Sequence, residues 1–128
     1  VDWLIPSEEF ALRMTGEESP EAAAHRLYER YRPELLVVTQ GVRGGLLLDH
    51  EGLRRYESYR VDARDTNGCG DTFHGAFVAA KIKGMNNATA CRYASAAAAI
   101  KCTRLGARQA MPDDAECRAF LAGRGVAL

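Results

Sequence analysis

The chain has 128 residues, of which 47% are apolar, and its 17 lysine and arginine residues are balanced by 17 aspartate and glutamate residues. A chain of this length can bury roughly two-thirds of the surface that its unfolded form exposes. The zero net charge argues against binding to nucleic acid or to a membrane surface by bulk electrostatics, and no apolar run reaches the roughly 18 residues that span a bilayer. We therefore expect one domain over residues 1–128, with no nucleic-acid partner and no membrane partner.

The spacing of the four cysteines favours free thiols over a metal site. None of them forms a CxxC pair, and the three histidines show no ligand spacing to them, so zinc is not expected. Three of the four lie in segments with helical patterns. These observations predict reduced thiols and a cytoplasmic location, with disulfide bonding as the alternative. The cysteines are Cys69, Cys91, Cys102 and Cys117.

The start of the chain alternates strand and helix signals. Residues 1–5 form an apolar stretch that is typical of the end of a buried strand. Ser7 and Gly16 have the positions of a helix cap and a helix stop. The segment 19–30 begins with serine, proline and glutamate, which are the cap, the N1 proline and the first-turn acid of a second helix.

Three strands are predicted next. The short apolar run Leu35–Thr39 is typical of a strand that is buried on both faces. A glycine-rich loop follows it, and further strands are expected at residues 45–49 and 54–61, with a turn at residues 50–52.

The second half of the chain predicts helices. Apolar residues recur at helical spacing over residues 71–83, and residues 88–103 form an alanine-rich helix that can pack very closely. Asp113, followed by Glu116 at the spacing of a capping box, starts a last helix that ends near Gly123. Strands mixed with helices predict a layered α/β domain.

The glycine loop before the helix at residues 71–83 is the strongest candidate for chemistry. Residues 65–73 have the sequence DTNGCGDTF. Two glycines around a small residue allow a sharp turn that points successive N–H groups in one direction. Because the positive end of the next helix adds to these donors, the loop predicts an anion pocket.

A carboxylate stands at the rim of this pocket, at Asp71. Phosphoryl transfer needs fixed donors for the transferring group and a base for the attacking hydroxyl, and the loop offers both. The alternative is an ordinary strand-to-helix turn in which Asp71 is a first-turn acid.

Asp65 to Asp71 resembles the DTxGAGD signature of the ribokinase (PfkB) family of kinases, with cysteine at position 69 where alanine is usual. Three other segments resemble parts of the family's sequences, in the same order along the chain. Residues 2–16 resemble a segment that ends in Thr-Gly, and residues 38–44 resemble the TxGxxG nucleotide loop. Residues 93–107 resemble the helix beside adenine and the turn that follows it. The resemblance implies a ribokinase-like layered α/β sandwich, of which this chain is the C-terminal part only.

Residue roles follow from this resemblance. Asp71 would be the catalytic base that takes the proton of the acceptor hydroxyl. The backbone N–H groups of Gly68, Cys69 and Gly70 would form the anion hole. Four further residues would bind ATP, with the first three at its phosphates and ribose and the last beside its adenine: Thr39, Gly41, Gly44 and Ser95.

The resemblance also implies metal ions. Mg²⁺ would accompany ATP, but residues 7–10 have serine and phenylalanine where the family's NxxE motif has asparagine and glutamate, so Glu8 and Glu9 are the candidate replacements. A monovalent cation such as K⁺ is implied near the anion hole, although Ala110 stands where a family serine often completes that site. Its candidate ligands are Asp65, Asn67 and Gly106.

Kinases of this family are longer than this chain, which begins at Val1 within an apolar stretch. We therefore expect processing or a longer parent protein, whose upstream part supplies most sugar contacts and a lid. The implied activity is ATP-dependent phosphorylation of a hydroxyl on a sugar or sugar phosphate, with a homodimer as the candidate assembly of the complete enzyme. A nucleoside kinase and a non-catalytic nucleotide-binding fragment are the alternatives, and the isolated chain is expected to be inactive.

Overall fold

The computed structural model describes residues 2–64, 66, 68–105, 111–126 and 128. The chain, for which one domain is expected, divides into two compact units, Val1–Glu57 and Ser58–Leu128. None of the described helices is long and apolar enough to cross a membrane.

Unit 1, Val1–Glu57, contains a four-stranded sheet. Its strands stand in chain order, and the first pair is parallel whereas the other two pairs are antiparallel. A parallel pair needs a crossover connection, which two helices provide between the first and second strands. The elements are β1 (Trp3–Leu4), α1 (Glu8–Thr15), α2 (Pro20–Tyr31), β2 (Leu35–Thr39), β3 (Gly45–Asp49) and β4 (Gly52–Tyr56).

The helices of unit 1 begin where the sequence predicts. The Ser7 side chain accepts a hydrogen bond from the Phe10 N–H at 3.2 Å, and Ser19 accepts one from the Ala22 N–H at 3.1 Å. Gly16 ends α1 with a φ of 71°. The strand β2 is buried as predicted, and the core joins α1 and α2 to the sheet through Ala11, Ala23, Ala24, Leu27, Leu36, Val38, Leu46 and Leu48.

The last strand differs from the expectation of a strand over residues 54–61. Pairing begins at Gly52, opposite Asp49, and ends at Tyr56, which lies opposite Gly45. Gly45 is the first residue of β3. Residues beyond Tyr56 therefore have no partner on that strand, and the alternation in the sequence does not lengthen β4.

Unit 2, Ser58–Leu128, is helical over much of its described length. Its helices are α3 (Cys69–Ile82), α4 (Asn87–Cys102) and α5 (Asp114–Gly123), each within two residues of the prediction. The capping box of α5 is confirmed, because the Glu116 N–H donates to Asp113 Oδ1 at 2.8 Å and the Asp113 N–H donates to Glu116 Oε1 at 3.2 Å.

A disulfide between Cys69 and Cys102 corrects the expectation of four reduced thiols. Their Cα atoms are 6.5 Å apart, within the usual range for a disulfide. The first residue of α3 meets the last residue of α4 because the two helices pack against each other in opposite directions. A separation of 33 residues in the sequence gives no sign of this contact. Cys91 and Cys117 are free and buried.

Candidate functional site

The start of α3 brings the glycine turn and Asp71 together. Gly68 is the N-cap residue, with a φ of 80° in the left-handed region that glycine adopts without strain. Cys69, Gly70 and Asp71 then form the first three helical positions. Gly70 and Asp71 are exposed, whereas Gly68 and Cys69 are half-buried. The turn thus presents a helix N-terminus and a carboxylate to solvent at the same place.

The backbone donors of this turn have different partners. The Cys69 N–H donates to the Thr66 carbonyl at 3.3 Å, and the Thr72 N–H makes the first bond of α3, to the Gly68 carbonyl at 2.9 Å. The first N–H groups of an α-helix have no acceptor within the helix, and together they carry about half a positive charge. The expected donors at Gly68, Cys69 and Gly70 are therefore not equivalent, because the Cys69 N–H is already engaged within the loop.

A buried threonine fixes the turn. Thr72 is 2% exposed, and its hydroxyl donates to the Gly68 carbonyl at 3.0 Å. The ring of Phe73 is 6.3 Å from that of Phe77 on the buried side of α3. Since the adjacent side chains are packed, Asp71 stands on a rigid helix rather than on a mobile loop.

Three of the four predicted ATP-binding residues lie in unit 1, at the end of β2 and in the turn that follows it. Thr39 ends the strand, and the Gln40 N–H donates to the Gly44 carbonyl at 2.8 Å, which closes the turn. Gly44 has a φ of 83°, and a Cβ atom there would collide with the Tyr56 carbonyl. Gly41, with a φ of 60°, faces open space. Glycine is thus required at position 44 both by conformation and by space.

The structure distinguishes the two glutamates that could replace the missing family glutamate. Glu8 forms an ion pair with Arg43 in the turn after β2, and its side chain is 18% exposed. Glu9 instead pairs with Arg13 of its own helix at 2.9 Å and is 81% exposed. Glu8 therefore contacts the predicted nucleotide turn from the start of α1, whereas Glu9 lies on the exposed face of that helix.

The structure says less about the other predicted site residues. Ser95 is 4% exposed within α4 of unit 2. Asp65, Asn67 and Gly106, predicted to hold a monovalent cation, lie outside the described residues, as does Ala110. Among the residues that are described, no group of three or more histidine, cysteine, aspartate or glutamate side chains is placed to hold a metal ion.

Sequence reasoning missed Lys101, which lies beside the glycine turn. This lysine is 0% exposed, and its Cε atom is 3.9 Å from the point where a Cβ atom on Gly68 would stand. Lysine is almost never fully buried without a partner. The available signal was its position in the sequence, directly after the small and apolar residues 96–100.

Comparisons with known proteins show the family of this chain. Residues 1–114 match the model of the pfkB family carbohydrate kinases. The chain is 31% identical over 125 residues to the ribokinase of Haemophilus influenzae, and the match covers 94% of the chain and 41% of that protein.

Solved structures with similar folds include a ribokinase and a putative ribokinase. A ribokinase from Thermotoga maritima superposes with a TM-score of 0.86 and 35% identity, covering 95% of this chain and 42% of its own. A putative ribokinase II from Escherichia coli, in complex with ATP and Mg²⁺, superposes with a TM-score of 0.88 and 28% identity, covering 96% and 40%. The chain thus spans about two-fifths of the length of these relatives. It has the ribokinase-like α/β fold and belongs to the pfkB family of carbohydrate kinases.

Proposed function

We propose that the protein carrying this chain transfers a phosphoryl group from ATP to a hydroxyl of a sugar or sugar derivative. The observation that carries the proposal is the exposed carboxylate of Asp71 at the third position of α3, directly after the left-handed turn at Gly68. Membership of a carbohydrate kinase family supports a sugar acceptor.

In the proposed reaction, Asp71 accepts the proton of the acceptor hydroxyl. The hydroxyl oxygen attacks the γ-phosphorus of ATP, and ADP leaves. The start of α3 contributes N–H donors and a positive helix end, which stabilise the charge on the phosphoryl oxygens. Base and donors lie on neighbouring residues, so both act at the same end of one helix.

Mg²⁺ would neutralise charge on the ATP phosphates when bound. In unit 1, Glu8 is the residue that fits such a role, because carboxylate oxygens are the ligands that Mg²⁺ prefers. Glu8 begins α1 and forms an ion pair with Arg43 in the turn after β2. To bind Mg²⁺, the Glu8 carboxylate would have to release Arg43 or contact Arg43 and Mg²⁺ at the same time. A requirement for K⁺ remains a prediction, tested by replacing K⁺ with tetramethylammonium in the assay.

The test is the substitution Asp71→Asn in the full-length protein that carries this chain. Turnover with a panel of sugars and nucleosides should fall by about 10²–10⁴-fold, the usual contribution of a general base. Calorimetry should show unchanged ADP affinity, because the donors of the turn remain. The matched control is Asp62→Asn, which removes another exposed carboxylate of unit 2.

Three outcomes separate the candidates. Near-normal turnover of the Asp71→Asn variant would remove Asp71 from the mechanism. Phosphorylation of nucleosides in preference to sugars would favour the nucleoside kinase alternative. Binding of ADP without phosphorylation of any acceptor would favour a non-catalytic nucleotide-binding protein.

A further inference from the structure

Cys102, the last residue of α4, is attached to the chain on both sides of residues 65–68. Its carbonyl accepts a hydrogen bond from the Arg64 N–H at 2.6 Å, directly before the signature. Its sulfur is bonded to that of Cys69, the first residue of α3, directly after the turn at Gly68. The candidate phosphate site is therefore anchored twice on one residue, and one of the two anchors is a bond that reduction breaks.

The bonded pair can be reached from solvent, whereas the other two cysteines of the chain cannot. Cys69 and Cys102 are half-buried, but Cys91 and Cys117 are only 0% and 2% exposed. The thiolate is the form of cysteine that reacts with oxidants, and a helix N-terminus such as that of α3 favours it. The pair thus has the exposure that reversible oxidation requires.

The bond restrains a backbone donor that the resemblance assigns to the anion hole. The Cys69 N–H donates to the Thr66 carbonyl at 3.3 Å, so it is not directed at a ligand. To reach a phosphate, this N–H has to leave that carbonyl, and Cys69 has to shift relative to the end of α4. A disulfide holds its two sulfur atoms about 2.05 Å apart and opposes such a shift. Reduction removes this restraint and keeps the hydrogen bond at Arg64.

We propose that the Cys69–Cys102 bond is a redox switch on the phosphate site, so that the oxidised protein binds phosphate more weakly than the reduced protein. This inference rests on the proposed function of the turn at Gly68. Alanine, which is usual at position 69 of the family signature, cannot form such a bond, so the reduced chain is the form that resembles the signature. A bond that only stabilised unit 2 would leave nucleotide affinity unchanged.

The oxidation needs a peroxide as its co-reactant. The thiolate of one cysteine attacks a peroxide oxygen and breaks the O–O bond, which yields a sulfenic acid and hydroxide. The second thiolate attacks the sulfenic sulfur, forms the S–S bond and displaces another hydroxide. With hydrogen peroxide, the sulfur atoms lose two electrons, and the thiol protons and the hydroxides form two molecules of water. A small dithiol reverses the change by exchange and is itself oxidised to a disulfide.

The test uses the full-length protein, treated with hydrogen peroxide and then with a dithiol. Labelling of free thiols followed by peptide mass spectrometry reports whether Cys69 and Cys102 are bonded, and calorimetry measures affinity for ADP and for adenosine in each state. The variant Cys102→Ala cannot form the bond and leaves the signature unchanged. Its matched control is Cys91→Ala, which removes a buried cysteine of the same helix.

We expect the oxidised protein to bind ADP about tenfold more weakly than the reduced protein, the order of effect of one hydrogen bond to a charged group. The dithiol should restore the affinity. Adenosine affinity should be unchanged because adenosine has no phosphate. The Cys102→Ala variant should bind ADP equally well before and after peroxide, whereas the Cys91→Ala variant should respond as the unmodified protein does. If Cys102→Ala does not fold, Cys102→Ser is measured in its place.

Four results would overturn the inference alone. The first is the absence of a Cys69–Cys102 bond after peroxide, and the second is a bond with unchanged or higher ADP affinity. The third is the same loss of affinity in the Cys102→Ala variant, which would assign the effect to another oxidised residue. The fourth is an equal loss of ADP and adenosine affinity, which would indicate general damage. Failure of the reduced, unmodified protein to bind ADP would overturn the proposed function, and this inference with it.

Discussion

The turn before α3 shows which glycine the backbone needs. Gly68 has a φ of 80°, whereas Gly70 lies in the regular helix, with nothing within 4 Å of an added Cβ atom. In the signature sequence the two glycines look equivalent. The structure assigns the conformational requirement to position 68 and leaves position 70 without one.

Substitution of the two glycines should therefore have opposite effects on stability. Gly68→Ala should lower the free energy of unfolding by about 1–2 kcal/mol, because a side chain strains the left-handed conformation. Gly70→Ala should leave it unchanged or raise it by up to about 1 kcal/mol, because alanine favours helix. Urea unfolding of the two variants measures both effects, and equal losses at the two positions would contradict the assignment.

At the scale of elements, a single carboxylate ties the three helices of unit 2 together. Asp114 at the start of α5 accepts hydrogen bonds from Lys83 Nζ at 2.7 Å and from the Tyr93 hydroxyl at 2.5 Å, which come from the end of α3 and from α4. Arg118 Nε adds a third bond at 2.9 Å. The hydrogen bonds from Lys83, Tyr93 and Arg118 hold the pKa of Asp114 well below its usual range. Burial, followed by the bond to Asp114, raises the pKa of Tyr93 to about 12.

This cluster predicts a stability loss in acid. The pKa of Asp114 is lower in the folded state, so around this pH the folded state binds fewer protons than the unfolded state. The stabilisation from Asp114 is therefore fully present above its ordinary pKa of 3.8. It should be lost as the pH falls from about 4 towards the depressed pKa. Asp114→Asn should be less stable than the unmodified protein at pH 7 and should show a weaker decline below pH 4. Urea midpoints measured across this range test the prediction, with Asp62→Asn as the control.

Identical acid profiles for the Asp114→Asn variant and the unmodified protein would show that the helices are held together without this carboxylate. At alkaline pH, the raised pKa of Tyr93 makes stability change with pH in the opposite direction. The contribution of Tyr93 to stability is present below its ordinary pKa of 10.0 and is lost as the pH rises towards 12.

At the scale of the whole molecule, local signals predicted the elements, and contacts between distant residues were not predictable. The caps at Ser7 and Asp113 and the start of α3 depend on neighbours within a few residues, so the sequence contains them. The end of β4 depends on where its partner β3 begins, at Gly45. The burial of Lys101 likewise depends on the packing of α4 near the turn at Gly68, and the sequence shows only that this lysine follows the small and apolar residues 96–100.

The chain spans 41% of the Haemophilus influenzae ribokinase that it matches, and the proposed site has a base and phosphate donors but no assigned sugar contacts. We therefore predict that the 128-residue chain alone binds nucleotide weakly and phosphorylates no common sugar. Holding the acceptor hydroxyl in line with the γ-phosphate can account for roughly 7–11 kcal/mol of the barrier lowering, and that contribution would be lost.

The purified chain would be incubated with ATP, Mg²⁺, K⁺ and a panel of hexoses, pentoses and nucleosides, and products would be followed by mass spectrometry. The full-length protein serves as the positive control, and Asp71→Asn in the chain serves as the negative control. Slow hydrolysis of ATP is compatible with the prediction, because Asp71 and the start of α3 are both present to act on water. Robust phosphorylation of one sugar that disappears in the Asp71→Asn chain would contradict it, because the acceptor site would then lie within these 128 residues.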